Sequence, residues 1–234
     1  MKCLIGVCGA QASGKTLVIL GILRLSRRCG LRVGACKPVD VGETAYLAED
    51  SLGDGESIQQ TGRMPEHVSL INPYLLHEKL PPALAAQRDG VRIDKKLLET
   101  RLKLLRDSYK RLLIESPGSL RIPLSGTESW AAMLGKWCAD VIWISDINED
   151  SLERTLFSFE LLQKYGMSVK ILLNNRSNER NRELIEYHWL TLEEELSTTV
   201  QGLVPYIRGK NRVERVTEVL ADIFDENWLE QRDA

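Results

Sequence analysis

The chain of 234 residues contains little of what several specialised classes of protein require. It has three histidines, which are far apart, and five cysteines without C-x-x-C spacing, so neither residue type forms a zinc or redox motif. The odd number of cysteines, most of them in apolar runs, predicts buried free thiols in a reducing compartment. Aromatic residues make up only 6% of the chain, and we expect the scattered tryptophans to pack in the core.

Neither sign of charge is in large excess, because 31 Lys and Arg residues oppose 33 Asp and Glu residues. The net charge of -2 gives no general attraction to nucleic acid or to an anionic membrane, so neither is an expected partner. The sequence also lacks an apolar run long enough to cross a bilayer. Since no leader pattern precedes the first apolar run, we expect a cytoplasmic protein.

Short apolar runs alternate with segments of helical period, a pattern typical of βαβ units. The apolar runs predict strands at residues 3–8, 31–36, 111–115, 140–146, 168–173 and 201–204. The periodic segments predict helices at residues 15–29, 94–110, 127–138, 151–165, 180–197 and 212–225. Asp94 is the expected N-cap of the second helix, and one face of that helix should carry Leu97, Leu98, Leu102 and Leu105. The predicted fold class is therefore α/β, with a mostly parallel sheet flanked by helices on both faces.

A chain of this length can bury one sizeable core. We predict a single domain over residues 1–225 and a charged tail over residues 226–234. Residues 40–90 are rich in Gly, Pro and acidic residues and contain only short periodic pieces. In such a fold, a long irregular stretch after a strand is usually a functional excursion across the edge where ligands bind.

A phosphate-binding loop follows the first predicted strand. The pattern G-x-x-x-x-G-K-[ST] is matched by Gly9, Ala10, Gln11, Ala12, Ser13, Gly14, Lys15 and Thr16. The glycines let backbone N–H groups surround the phosphates, the lysine reaches the terminal phosphates, and the threonine hydroxyl can hold Mg²⁺. A helix begins directly after the loop, and its N-terminus favours anions. The motif predicts a nucleoside triphosphate site and a P-loop NTPase fold.

Polar residues end other predicted strands at the same edge of the sheet. Lys37 follows the second strand, and Glu115 ends the third, where acids commonly hold Mg²⁺ or its waters. Asp54 lies in a Gly-rich loop, and its local pattern favours a solvated charge over a ligand. Asn174 and Asn175 end the fifth strand, where an amide could bind a purine edge or simply form a turn.

In their order and spacing, these motifs resemble the dethiobiotin synthetase family along nearly the full chain. Besides the phosphate loop, the matching segments are Lys37-Pro38-Val39, Gly53-Asp54, Asn72-Pro73-Tyr74, residues 81–86, Leu113-Ile114-Glu115, Asn175 and Val204-Pro205. The resemblance implies an ATP-dependent ligase of biotin synthesis. In that reaction CO₂ carboxylates one amine of 7,8-diaminononanoate, ATP phosphorylates the carbamate, and the neighbouring amine closes a cyclic urea with loss of phosphate.

The resemblance also implies roles for individual residues. The implied catalytic residues bind phosphate and Mg²⁺ or neutralise the carbamate during phosphoryl transfer, and they are Lys15, Thr16 and Lys37. Thr16, Asp54 and Glu115 would form the metal site. Asn175 would bind adenine, with Pro205 and Tyr206 lining the base pocket. The family is homodimeric with substrate near the interface, and the implied substrate contacts are Lys37, Val41, Gly118, Ser151, Leu152, Glu153 and, from the other subunit, Tyr187.

The acceptor side of the sequence departs from the family pattern. Cys8-Gly9-Ala10-Gln11 stands where the family has Gly-Thr-Asp-Thr, and Pro117 interrupts a glycine-rich segment. The loop that would receive the substrate carboxylate reads Asp150-Ser151-Leu152-Glu153, and its two acids would repel a carboxylate. Two alternatives therefore stay open. One is a related ATPase or ligase with a different, amine-bearing acceptor. The other is a nucleotide-dependent switch like the partitioning ATPases, which carry a lysine where this chain has Ala10.

Overall fold

The computed structural model describes residues 3–42, 52–177 and 182–230. Its strands in chain order are β1 (Cys3–Gly9), β2 (Val33–Cys36), β3 (Val39–Val41), β4 (Tyr74–Leu76), β5 (Arg111–Glu115), β6 (Pro123–Ser125), β7 (Glu128–Ser129), β8 (Asp140–Asp146), β9 (Ser168–Asn174) and β10 (Val200–Val204). Its helices in chain order are α1 (Lys15–Arg28), α2 (Asp54–Gly62), α3 (Val68–Ile71), α4 (Pro82–Arg88), α5 (Lys95–Ser108), α6 (Trp130–Trp137), α7 (Ser151–Lys164), α8 (Arg182–Leu196), α9 (Arg212–Ala221) and α10 (Glu226–Glu230).

Six strands form one parallel sheet in the order β10-β9-β8-β1-β5-β2. They are the six predicted strands, each within two residues of its predicted ends. Every residue of β5 and of β2 is buried, as expected for strands covered by helices on both faces. The α/β prediction and its parallel sheet are confirmed.

The predicted helices are present, with adjusted ends. Asp94 caps α5, because its Oδ1 accepts a hydrogen bond from the backbone N–H of Lys96 at 2.8 Å. Leu98, Leu102 and Leu105 are buried, but Leu97 is 37% exposed, so the prediction that Leu97 shares one face with the other three was wrong. Helix α9 ends four residues before its predicted end. Among the described helices, none combines the length and the apolar character that a bilayer crossing requires.

Residues 40–90 contain more regular structure than their composition indicates. Strands β3 and β4 pair in parallel as a separate two-stranded sheet, and α4 contacts both strands. Helices α2 and α3 contact each other. Helix α2 packs on α1 and β2, which brings its first turn to the phosphate loop. The prediction of an irregular excursion was therefore only partly right, since the described part of this segment contains two short strands and three helices. Residues 43–51 lie outside the described residues.

The predicted charged tail begins with the helix α10. Its Leu229 is 1% exposed, and the Trp228 ring lies 4.2 Å from the Phe224 ring, centroid to centroid. The guanidinium of Arg111 lies 4.4 Å from the centroid of the Trp228 ring, a cation–π distance. Residues 226–230 therefore pack on the sheet, and residues 231–234 lie outside the described residues.

The register of the central strands sets the position of the site. Strand β1 pairs with β5 so that Val7 lies opposite Glu115, and β5 pairs with β2 so that Ile114 lies opposite Cys36. The phosphate loop, Glu115 and Lys37 consequently leave the sheet side by side at its carboxyl edge, where ligands of such sheets bind.

Candidate functional site

The phosphate loop turns sharply between β1 and α1. A Cβ added at Gly9 would lie 2.5 Å from Ser13 Oγ and 2.6 Å from the Ile144 carbonyl oxygen, so only glycine fits. Gly14 has a φ of 93°, in the left-handed region. The first turn of α1 has no side-chain cap and no acidic residue, which leaves its backbone N–H groups free to bind an anion.

The side chain of Asn174 forms a hydrogen bond to the backbone of this loop. Its Nδ2 donates a hydrogen bond to the Ser13 carbonyl oxygen at 2.6 Å, and a Cβ at Gly14 would lie 2.3 Å from the same nitrogen. Asn174 is 4% exposed. The amide at the end of β9 therefore supports the phosphate loop, a role that local sequence could not reveal because the partners are 161 residues apart.

Lys15 folds back over the loop. Its Nζ donates to the carbonyl oxygens of Ala10 at 2.7 Å and Gly9 at 3.3 Å. Burial lowers the pKa of the Lys15 ammonium, and Glu115 partly opposes this effect. A triphosphate bound at the loop would restore a counter-charge to this buried cation.

Thr16, Asp54 and Glu115, the predicted metal-binding residues, lie together. Thr16 Oγ1 is 3.1 Å from Asp54 Oδ2 and 3.0 Å from Glu115 Oε1. The single hydroxyl proton therefore has two carboxylate acceptors within hydrogen-bond distance. Glu115 Oε2 is buried and has no hydrogen-bond partner among the described residues. A hydroxyl and two carboxylates, with Glu115 Oε2 lacking a hydrogen-bond partner, are a set of oxygen ligands that suits Mg²⁺. This ion takes few protein ligands and keeps waters and phosphate oxygens in its coordination sphere.

Lys37 lies at the centre of three carboxylates. Its Nζ is 2.8 Å from Asp40 Oδ1 and 3.5 Å from Glu115 Oε1, and it also pairs closely with Asp54. Burial alone would lower the pKa of Lys37, but Glu115, Asp40 and Asp54 outweigh burial and raise it above its ordinary value. Lys37 is therefore a permanent cation in the resting protein.

Asp40 was not predicted as a site residue. It is 4% exposed, and its Oδ1 also accepts the backbone N–H of Val41 at 2.9 Å. A lysine and an aspartate three residues apart would have been the available signal, but the pairing depends on β3 holding Asp40 beside Lys37, which precedes that strand.

The site has a formal excess of negative charge, since three carboxylates face the two ammonium groups of Lys15 and Lys37. Burial raises the pKa of Glu115, while Lys37 and Lys15 counteract the shift. A divalent cation at Thr16 would complement this excess. In the described part of the chain, no group of three or more His, Cys, Asp or Glu side chains is arranged to hold a metal ion.

Two adjoining cavities open beside these residues. The first, of about 500 Å³, is lined by Lys15, Thr16, Lys37, Asp54 and Glu115. The second, of about 960 Å³, contains the predicted substrate residue Gly118. The residues that line both cavities are Gln11, Val41, Lys79 and Pro117. The geometry thus provides a triphosphate-sized space next to a larger space for a second reactant.

The structure separates the remaining predicted substrate residues from both cavities. Ser151 begins α7 and is 3% exposed, with its Oγ donating to the Asn148 carbonyl oxygen at 2.8 Å. Glu153 is exposed, Leu152 is half-buried, and Tyr187 on α8 is 60% exposed. None of the four lines either cavity of the single chain. Their predicted contact across a dimer interface stays a prediction.

The predicted adenine-binding residues also lie outside both cavities. The Asn175 backbone N–H donates to the Val204 carbonyl oxygen at 2.9 Å, and its side-chain Oδ1 accepts from the Ser177 backbone N–H at 3.2 Å. Tyr206 follows β10 and is 38% exposed, with the Arg208 guanidinium 5.2 Å from its ring centroid. Asn175 thus forms a turn, and the base-binding role of Asn175, Pro205 and Tyr206 stays a prediction.

Comparisons with known proteins agree with this geometry. Relatives named ATP-dependent dethiobiotin synthetase include one from Thermodesulfovibrio yellowstonii, 27% identical over 223 residues with 91% of each chain covered. Another from Vibrio vulnificus is 27% identical over 214 residues, covering 90% of this chain and 92% of the relative. A third from Bacillus cereus is 24% identical over 218 residues, covering 93% and 89%.

Solved structures share the fold. The cell-division ATPase MinD of Pyrococcus furiosus superimposes with a TM-score of 0.53 at 13% identity, covering 95% of this chain and 98% of that one. A plasmid partition protein from Borrelia burgdorferi gives a TM-score of 0.52 at 17% identity, covering 94% and 98%. These likenesses confirm a P-loop NTPase fold.

A family model described as an AAA domain, AAA_26, matches residues 7–213, which include the phosphate loop, Lys37, Asp54, Glu115 and Asn175. The chain therefore belongs to the AAA_26 family, the family of dethiobiotin synthetase.

Proposed function

We propose that this protein is an ATP-dependent and Mg²⁺-dependent dethiobiotin synthetase that acts on 7,8-diaminononanoate and CO₂. One amine adds to CO₂ and loses a proton, giving a carbamate. A carbamate oxygen attacks the γ-phosphorus of ATP, and the bond to the β-phosphate oxygen breaks to release ADP. The second amine then attacks the carbamoyl carbon, the cyclic urea closes, and phosphate and a proton leave.

The convergence of Lys15, Thr16, Lys37, Asp54 and Glu115 on one cavity carries this proposal. A carbamate and a triphosphate repel each other, so their reaction needs fixed positive charge between them. Lys15 would turn from the loop carbonyls toward the β- and γ-phosphates. Lys37, held cationic by its three acids, would lie between carbamate and γ-phosphate.

Thr16, Asp54 and Glu115 would hold Mg²⁺, which neutralises charge on the β- and γ-phosphates when it is bound. The Asp54 and Glu115 oxygens that would hold the ion also contact Lys37, so these two carboxylates would serve both the ammonium group and the metal.

A related ligase with a different acceptor is the second candidate. Gln11 and Pro117 border both cavities, and both depart from the family pattern described above. The reacting amines would pass this border, so the departures act where the acceptor meets the nucleotide. A switch protein is less favoured, because Ala10 replaces the lysine typical of partitioning ATPases.

Phosphate release from ATP and Mg²⁺ distinguishes these functions when it is measured with and without diaminononanoate and bicarbonate. We expect release only with both co-substrates, together with incorporation of label from ¹³C-bicarbonate into a cyclic urea. ATP binding without stimulation by diaminononanoate would favour a different acceptor. An ATP-controlled change of oligomeric state with no acceptor would favour a switch. The expected homodimer is checked by light scattering in the same samples.

A further inference from the structure

Asp40 differs in its surroundings from the two other acids around Lys37. Asp54 Oδ2 and Glu115 Oε1 each lie within hydrogen-bond distance of the Thr16 hydroxyl, so they belong to the expected metal-binding set. Asp40 is outside that set, and its Oδ1 lies 2.8 Å from Lys37 Nζ. When an ion takes the first two acids as ligands, Asp40 is the acid that serves Lys37 alone.

The position of Asp40 is fixed by its strand. Asp40 is the middle residue of β3 and pairs with Leu75 of β4. Its buried carboxylate also accepts the Val41 backbone N–H at 2.9 Å, a contact that does not involve Lys37. Asp40 would therefore keep its place when ligands enter the cavity.

The backbone of Lys37 is held as well. Its N–H donates to the Ile71 carbonyl oxygen at 3.0 Å, and its carbonyl oxygen accepts from Asn72 Nδ2 at 2.7 Å. The freedom that remains to Lys37 lies in its side chain, a flexible four-carbon stem that ends in a charge. The acids around the ammonium group must therefore set its position.

The formal charges of the cluster balance with a divalent ion when all three acids are ionised. Lys37 and the ion would carry three positive charges, against the three negative charges of Asp40, Asp54 and Glu115. Lys15 faces the loop, where the triphosphate would balance it. Without Asp40, the ammonium group and the ion would compete for the same two carboxylates, since buried charges depend on partners rather than on water.

We infer that Asp40 is a positioning residue for Lys37, which it keeps in the nucleotide cavity when a divalent ion occupies the neighbouring acids. Asp40 and Lys37 both line that cavity. The catalytic consequence rests on the proposed function, in which the Lys37 ammonium stabilises phosphoryl transfer. The effect on binding of the ion rests on the cluster alone.

Calorimetric titration tests the inference with a non-hydrolysable ATP analogue, once with Mn²⁺, which shares the oxygen ligands of Mg²⁺, and once with EDTA. The ratio of the two affinities is the gain that the metal gives. We expect Asp40→Asn to reduce this gain about tenfold or more, because the Lys37 ammonium then competes with the ion. In the Lys37→Met background there is no competing ammonium, and the loss should be at least about threefold smaller.

The matched control Asp222→Asn removes an exposed carboxylate that follows α9, and it should leave the gain unchanged. Equal losses in the two backgrounds would overturn the inference, since Asp40 would then act on the ion by its charge alone. An unchanged gain in Asp40→Asn would also overturn it, as would a wild-type protein in which the metal gives no gain. Urea unfolding checks that each variant is folded, and Asp40→Ser takes the place of Asp40→Asn if the latter unfolds.

Turnover separates this inference from the proposed function. With diaminononanoate and bicarbonate, at saturating ATP and Mg²⁺, Asp40→Asn should lower kcat about tenfold or more, because a displaced ammonium stabilises the transfer less. A wild-type kcat in this variant would refute the catalytic role of the contact. Failure of the proposed function gives a different result, namely no phosphate release in the wild type, together with a metal gain that still depends on Asp40 and Lys37.

Discussion

Replacement of Lys37 by methionine tests the charge arrangement at the centre of the site. The change keeps the length of the side chain but leaves Asp40, 4% exposed, and Glu115, 2% exposed, without their shared cation. Loss of one partner from a buried ion pair costs about 3–5 kcal/mol. We therefore expect Lys37→Met to lose that much unfolding free energy, a large part of the roughly 5–15 kcal/mol of a typical domain.

The second part of this prediction concerns Asp40→Asn, whose effect on the free energy of unfolding should have opposite signs in the wild type and in Lys37→Met. In the wild type, Asp40→Asn should destabilise the protein, because a charged hydrogen bond of about 1.5–3 kcal/mol is weakened. In the Lys37→Met background the same change should stabilise it, because one of the buried carboxylates that shared this cation is removed. Since the two effects have opposite signs, the interaction energy between the two sites, which is their difference, should exceed the loss of stability in the wild type.

Urea unfolding near neutral pH, without nucleotide or Mg²⁺, measures all four corners of this double-mutant cycle. The control Lys103→Met removes an exposed lysine from α5 and should change stability by less than about 0.5 kcal/mol. If Asp40→Asn were equally destabilising in both backgrounds, Lys37 and Asp40 would not interact, and the charge arrangement described here would be wrong.

Three further predictions concern the loop and the core. Gly14→Ala should lower stability by about 1–2 kcal/mol or more and weaken ATP binding, since its φ is 93° and the new Cβ would meet Asn174 Nδ2 at 2.3 Å. Urea unfolding and ATP titration would show this, and unchanged values would contradict the loop geometry. Lys15→Met should lose less unfolding free energy than Lys37→Met, because Lys15 donates to carbonyls and burial disfavours its charge, yet it should weaken ATP binding at least about tenfold in a titration. Comparable losses of stability in the Lys15 and Lys37 variants would refute this contrast. Burial holds the pKa of His188 below its ordinary value, so the unfolded chain takes up a proton first and stability falls as the pH drops below about 6.5. The melting temperature should therefore fall less between about pH 7.5 and about pH 5.5 in His188→Gln than in the wild type, and equal falls would exclude His188 as a cause.

The elements of this protein follow from local sequence because their signals are local. Strands buried on both faces require continuous apolar runs, and Cys3–Gly9, Arg111–Glu115 and Asp140–Asp146 are such runs. The phosphate loop requires glycine where the backbone is left-handed or crowded, and its motif names those positions. Parallel strands also place their carboxyl ends at one edge, which is why Lys37 and Glu115 could be expected to meet.

The sequence by itself therefore determined the P-loop fold, the phosphate loop and the presence of Lys37 and Glu115 beside it. Only the tertiary structure decided that Asp40 completes the cluster around Lys37, that Asn174 supports the loop, and that one face of α7 lines the second cavity. These three features depend on how segments that are distant in the chain pack together, or on how a loop packs against the sheet. The hydrophobic periodicity of a segment indicates which of its residues are buried. It does not indicate which residue of another segment each buried residue contacts.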